Sequence, residues 1–129
     1  MAKTTQLTVN LENKPGQAAK VGNTLRRAGV NILAISVVET ADTGVIRLVA
    51  DSASKAAAAL TKAGLQTTRQ TVLTVSLPNQ PGALGTMAGK IARAGVNINY
   101  FYGSVPKNAK EATIILGVDD VDAAMKVVG

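Results

Sequence analysis

Two tetrapeptides, Asn13-Lys14-Pro15-Gly16 and Asn79-Gln80-Pro81-Gly82, each stand just before an amphipathic run and carry the groups in this chain best suited to hold a small anion. A helix start leaves backbone N–H groups without intrahelical partners and bears a partial positive charge, which suits a carboxylate; a glycine there lets a ligand approach the main chain closely. The donors so placed are Gly16, Gln17 and Ala18 in one copy, and Gly82, Ala83 and Leu84 in the other. A zwitterion also brings an ammonium, for which Asn31 and Asn97 offer amide oxygens. The plainer alternative is turn and cap chemistry alone: Asn accepting a backbone hydrogen bond, Pro presetting the helix start, Gly relaxing the turn, and Asn31 satisfying backbone at a strand start.

Other chemistry is thinly represented. Histidine and cysteine are absent, which removes the usual general base at neutral pH, the thiol nucleophile and the commonest metal ligands. The carboxylates Asp119, Asp120 and Asp122 lie close together, but at a helix start they serve the dipole, and no second cluster completes a coordination shell. The lysines and serines lack an activating arrangement. The expectation is a protein with no catalytic residues, no metal site and no cofactor. Arg47, in an otherwise apolar run, either meets a carboxylate or reaches to solvent.

The elements that position these residues come from an internal repeat. A shift of 66 aligns LTVNLENKPG at Leu7 with LTVSLPNQPG at Leu73, and RAGVNI at Arg27 with RAGVNI at Arg93; residues 7–32 match their counterparts at 13 of 26 positions. A period this long indicates duplication of a small domain rather than a solenoid. Two domains are expected, over residues 1–70 and 71–129. In each copy an alternating strand (Leu7, Val9, Leu11; Leu73, Val75, Leu77) leads into a helix with apolar spacing (Ala18, Val21, Leu25, Ala28; Leu84, Met87, Ile91, Ala94) that Gly29 or Gly95 ends. Two β-rich runs follow, NILAISVV and GVIRLVAD in the first copy, joined by ETADT, then NINYFYG and ATIILGV in the second, with a basic loop from Pro106 to Lys110. A second helix comes next, capped by Ser52 in the first copy and opened by the aspartates in the second.

Residues 65–78 read as one long strand, or two end to end, closing the first copy and opening the second. By register Gly129 falls where Thr61 lies, so the second copy lacks its last strand, and another segment or subunit is expected to cover that edge. The order βαββαβ is the ferredoxin-like split βαβ arrangement, an α+β fold of tandem modules with antiparallel sheets and both helices on one face. NILAISVV is apolar in both parities, so the face away from the helices is expected to be partly dry.

Strand, Asn-x-Pro-Gly, amphipathic helix, Gly-Val-Asn-Ile (residues 29–32 and 95–98) and hairpin, in that order and twice over, resemble the ACT domain, an amino-acid-binding module often attached to metabolic enzymes. The resemblance spans nearly the whole chain and implies a stand-alone tandem ACT regulator. It implies a ligand, an amino acid, held where the loop around Asn13, Pro15 and Gly16, or Asn79, Pro81 and Gly82, faces the second strand of a neighbouring domain. On that account Ile32, Leu33, Ile98 and Asn99 join the candidates. Where the first copy has Leu33, Ala34 and Ile35 the second has Asn99, Tyr100 and Phe101, so the copies need not bind alike.

The net charge of +6 raises nucleic acid as a rival partner. An RNA-reading sheet of this topology carries aromatics and a basic-glycine-aromatic signature on its third strand, whereas that strand here reads GVIRLVAD or ATIILGV; nucleic acid is the weaker reading. Lys20, Arg26, Arg27, Lys90 and Arg93 are expected to form solvated helix faces. A protein-interaction subunit that docks on a metabolic enzyme is compatible with sensing. A homodimer is expected from the missing strand and the two-sided second strand. The N-terminus lacks a secretory pattern and no run is long enough to span a membrane, which points to the cytoplasm.

Overall fold

The structure is a computed structural model in which residues 2–39 and 42–128 are described. Part of the expected loop from Glu39 to Thr43, and Gly129, lie outside them. The elements run β1 (Ala2–Glu12), α1 (Gln17–Arg27), β2 (Ile32–Glu39), β3 (Thr43–Ala50), α2 (Ala53–Lys62), β4 (Gln66–Pro78), α3 (Ala83–Arg93), β5 (Ile98–Ser104), β6 (Glu111–Val118) and α4 (Val121–Val128). The order βαββαβ is present, and the stretch from 66 to 78 is a single strand. The chain divides into two compact units, one of Thr5–Gln70 and one of Thr71–Gly129 together with the N-terminal residues up to Thr4.

In the first unit the strands lie in the order β2-β3-β1-β4, the ferredoxin-like order. β3 pairs antiparallel with β1 (Leu7 opposite Leu48, Val9 opposite Ile46) and with β2 (Ile35 opposite Leu48, Val37 opposite Ile46). Residues opposite one another in an antiparallel pair point to the same face. Leu7, Val9, Leu11, Ile46 and Leu48 accordingly join Val21 and Leu25 of α1 and Ala56, Ala57 and Leu60 of α2 in one buried cluster. Both helices therefore cover the same face of the sheet. A fully buried leucine such as Leu60 contributes about 1.5–3 kcal/mol relative to exposure. Ser52 caps α2, its Oγ accepting from the Lys55 N–H at 3.4 Å.

The second unit repeats the plan. β6 lies between β4 (Leu73 opposite Leu116) and β5 (Phe101 opposite Leu116). Leu73, Val75, Met87, Ile91, Leu116 and Ala124 form its core. The edge for which the sequence supplies no final strand is met by the start of β1: Thr4 and Thr74 share a hydrogen bond between their hydroxyls at 2.7 Å, and Lys3 Nζ lies 2.6 Å from Asp122 Oδ1. The hydrogen bond from Lys3, and then its charge, hold the Asp122 carboxyl below its ordinary value.

The faces turned away from the helices are dry in places. Gln6 and Val49 in the first unit and Val72 and Ile115 in the second are buried, and Gln6 Nε2 donates to Gln70 Oε1 at 3.2 Å. On this face the two copies solve the same packing problem in opposite ways. Ala34 faces Val49 in the first; Tyr100 faces Gly117 in the second, its ring lying over the glycine so closely that an added Cβ would fall within 2.6 Å of both Cε carbons.

Candidate functional site

The Asn-x-Pro-Gly loops are built alike. Gly16 and Gly82 are the N-cap residues of α1 and α3, with φ of 91° and 87°. An L side chain in that left-handed region is strained, so glycine is needed here for the turn itself. As N-cap residues the glycines bring no side-chain acceptor of their own to the helix start. Asn79 instead reaches across to the β5–β6 hairpin: its Nδ2 donates to the Ala109 carbonyl at 2.7 Å and its N–H to the Lys110 carbonyl at 2.9 Å. The Asn13 N–H likewise donates to the Asp42 carbonyl at 3.3 Å. Both asparagines thus tie their loop to the adjacent hairpin. Within the first turn of α3 the Ala83 N–H is taken by the Gln80 carbonyl at 3.3 Å, and the Leu84 side chain is exposed.

The strand-start candidates form a second group. The Asn31 N–H donates to Asp51 Oδ1 at 3.1 Å while the Asn31 carbonyl accepts from the Asp51 N–H at 3.0 Å. In the second copy Asn97 Nδ2 donates to Asn99 Oδ1, and Asn99 Nδ2 to Asp119 Oδ1, both at 2.9 Å. Leu33 and Asn99 sit at register shifts, between Ile32 and Ala34 and between Ile98 and Tyr100; the extra residue turns each out of the ladder, and Leu33 is 63% exposed. Because NILAISVV is apolar in both parities, its pattern carries no mark of the bulge at Leu33. Asn31 and Ile32 line a shallow groove with Gly22, Leu25, Arg26 and Gly29.

These two groups lie at opposite ends of a helix. α1 and α3 each have 11 residues, roughly 16 Å at 1.5 Å per residue, with the loop before the first turn and the strand start after the last. One amino acid cannot touch Gly16 and Asn31, or Gly82 and Asn97, within a single module. The structure gathers Asn13, Pro15, Gly16, Gln17 and Ala18 at one end of their module, with Asn79, Pro81, Gly82, Ala83 and Leu84 at the matching end of theirs; Asn31, Ile32 and Leu33, and Asn97, Ile98 and Asn99, are gathered at the other ends.

The aspartates are engaged: Asp119 accepts from Asn99, Asp120 Oδ1 accepts from the Ala123 N–H at 3.0 Å at the start of α4, and Asp122 pairs with Lys3. Among the described residues no group of three metal-ligating side chains converges, and no helix is long and apolar enough to cross a membrane.

A cleft, partly open to solvent, adjoins the second candidate loop. The space, of about 270 Å³, is lined by Val75, Leu77, Gln80–Ala83, Thr86, Met87, Lys90 and Val128, with Ser76 and Pro78. It brings Pro81, Gly82 and Ala83 together with residues that sequence reasoning left in the core or on a solvated face, Lys90 above all. The available signal was the helical spacing of Ala83, Met87 and Lys90, which puts them on one face.

A family profile described as the ACT domain pair matches residues 2–128. No curated protein sequence matches the chain. Among solved structures, a protein from Bacteroides thetaiotaomicron is similar at 30% identity and a TM-score of 0.91, over 97% of this chain and 85% of the other. The ligand-free regulatory subunit of aspartate kinase from Thermus thermophilus is similar at 19% identity and a TM-score of 0.70, over 99% and 95% of the two chains. That from Thermus flavus is similar at 20% and 0.67, over 98% and 93%; at these identities the likeness is one of fold. With a profile spanning all but the ends of the sequence and the split βαβ plan present twice, the chain belongs to the ACT domain pair family.

Proposed function

We propose that this protein is a non-catalytic regulatory subunit that senses a free amino acid through its Asn-x-Pro-Gly loops. The observation that carries the reading is the repeated helix N-terminus opened by a left-handed glycine, at Gly16 and again at Gly82, in a chain of the ACT domain pair family. Its backbone N–H groups suit a carboxylate. Because a helix length separates loop from strand start, the ammonium is met by Asn31 or Asn97 of another subunit. The fold shared with regulatory subunits of aspartate kinase supports a metabolic enzyme as the docked partner.

A homodimer supplies that other subunit. β2 is the outer strand of its sheet, and Leu33, Ile35, Val37 and Val38 on it are all about half exposed or more. No lysine, proline or inward charge guards this edge, as edges left open to water usually require. Two copies of one strand pair antiparallel about a twofold axis, a closed arrangement that leaves neither edge free.

Thermal unfolding against a panel of amino acids tests the reading. A ligand at 100 times its dissociation constant adds about 2.7 kcal/mol, and a selective rise in Tm identifies it. A flat response across the panel removes the sensor reading.

A further inference from the structure

We infer that the helix layer of the first module, α1 with α2, is a docking face for an acidic α-helix of a partner protein. This goes beyond ligand sensing and rests on the reading above only for supposing a protein partner.

The face carries charge of one sign. Lys20, Arg26 and Arg27 on α1 and Lys55 and Lys62 on α2 are all exposed, and neither helix contains a carboxylate. The fold accounts for some of these cations. Arg26, Arg27 and Lys62 stand in last turns, where a positive charge complements the macrodipole. Lys20 and Lys55 do not: they are the fourth and third residues of their helices, toward the positive end, where a cation is unfavourable. The second module shows that the plan folds without them. Lys20 and Arg26 correspond there to Thr86 and Ala92, and Lys55, whose N–H bonds the Ser52 cap, corresponds to Ala123, whose N–H bonds the Asp120 cap. Charges that the fold opposes or does without serve something outside it.

Their arrangement gives the shape of that partner. Lys20, Thr24, Arg27 and Ala28 on α1 follow the same spacing as Lys55, Ala59, Lys62 and Ala63 on α2, so each set forms one row along its helix. Thr24, Arg27, Ala28, Ala59, Lys62 and Ala63 line one shallow groove between the helices. The Thr24 hydroxyl donates to the Lys20 carbonyl at 2.7 Å, and alanine methyls make up the rest of the floor, with a cation contributed by each helix. Within each row the cations stand two turns apart, roughly 10.5 Å at 1.5 Å per residue. Glutamates at i and i+7 of a helix lying along the groove repeat that spacing, and alanines at the contact let it approach closely.

Other polyanions fit less well. α1 and α2 carry no aromatic residue on which a base could stack, and a phosphate backbone has no apolar ridge to fill the groove. A lipid surface calls for large apolar side chains beside the basic ones. Among the described residues no exposed large hydrophobic lies on either helix.

The experiment is an alanine-methyl NMR titration of the whole protein with two blocked peptides of one composition, each of about 18 residues so as to be helical. In the first, a leucine ridge is flanked by two rows of glutamates; in the second the same residues are scattered round the helix. The patterned peptide is expected to shift the Ala28, Ala59 and Ala63 methyls saturably, and the scattered one to bind about fivefold more weakly. A variant carrying both Lys20→Gln and Lys55→Gln is expected to bind the patterned peptide about fivefold more weakly. Its Tm should be unchanged or higher, because both cations oppose their dipoles. Equal binding of the two peptides, no shift at these methyls, or a double variant that binds as the wild type does would each overturn the proposal. A double variant of lower Tm would make the lysines structural and overturn it as well. Single-stranded DNA of like length, or vesicles of phosphatidylcholine and phosphatidylserine, binding this face more tightly than the patterned peptide at equal ionic strength would give it to nucleic acid or to membrane instead. The amino acid panel, applied to the same variant, judges the sensor reading apart: a panel response without peptide shifts removes the face and keeps the sensor, and peptide binding with a flat panel does the reverse.

Discussion

Replacing Gly117 by valine places a branched side chain where the Tyr100 ring already lies. A Cβ at Gly117 would come within 2.6 Å of both Cε carbons, whereas carbon atoms rest at about 3.5–4 Å, so the ring or the strand has to give by roughly 1 Å. Overpacking of this kind costs about 1–3 kcal/mol. For a chain of 129 residues each kcal/mol moves Tm by roughly 3–6 °C, so Gly117→Val is expected to lower Tm by at least 3 °C. The first module shows the remedy, since it holds Ala34 against Val49 at the equivalent pair. Adding Tyr100→Ala to Gly117→Val recreates that pair, and the double variant is expected to be more stable than Gly117→Val alone. A double-mutant cycle in urea gives the coupling, expected at about 1 kcal/mol or more. Strictly additive losses, or a Gly117→Val protein as stable as the wild type, would refute the account of the ring covering the glycine.

Leu60→Ala, in the fully buried core of the first module, should lose about 2–5 kcal/mol in denaturant titration. Gly16→Ala and Gly82→Ala should each lose about 1–2 kcal/mol from the left-handed backbone alone, since nothing lies within 4 Å of an added Cβ at either; both should also reduce the amino-acid-induced rise in Tm. Val37→Lys, placing a charge on the outer strand, should leave the fold intact by circular dichroism and yield a monomer by sedimentation. Because Lys3 lowers the Asp122 pKa in the folded protein, the pair stabilises the fold above the unfolded pKa of about 3.9 and stops doing so as pH falls through the lower folded value. Lys3→Met should bring the Asp122 titration, followed by carboxyl NMR, back up toward 3.8 and remove that part of the acid dependence.

The fold was legible because its signals are local and repeated. Alternation at Leu7, Val9 and Leu11, helical spacing at Val21 and Leu25, and the glycine stops each report on neighbours a few residues away, and duplication let each copy check the other. What escaped was contact at long range. That residues up to Thr4 stand beside β4 depends on a pairing 70 residues apart in sequence, which no local pattern records. The bulge at Leu33 was hidden because apolar residues continue through it, and that at Asn99 because the polar–apolar alternation of Asn97 to Tyr100 reads as an ordinary strand. At the site, the loop glycines were visible as turn chemistry, and their left-handed φ follows from it. The role of Asn79 was not visible: its partner is a carbonyl at Ala109, and a backbone acceptor leaves no mark on residue identity. Lys90 was set aside for a related reason, since a charged residue on a helix looks the same whether it faces open water or the mouth of a cavity.

The split of β1, with Ala2–Thr4 serving one module and the rest the other, bears on the order in which the modules can pack. The first module has all its residues by Gln70 and can pack early. The second needs Ala2–Thr4 besides its own elements, and bringing them to β4 closes a loop of 70 residues whose entropic cost is about 4 kcal/mol. A chain cut between residues 70 and 71 therefore yields a second half with a bare sheet edge, ready to capture a strand from another molecule. Tethering Ala2–Thr4 to that half through a flexible linker would be the way to obtain it as an independent domain.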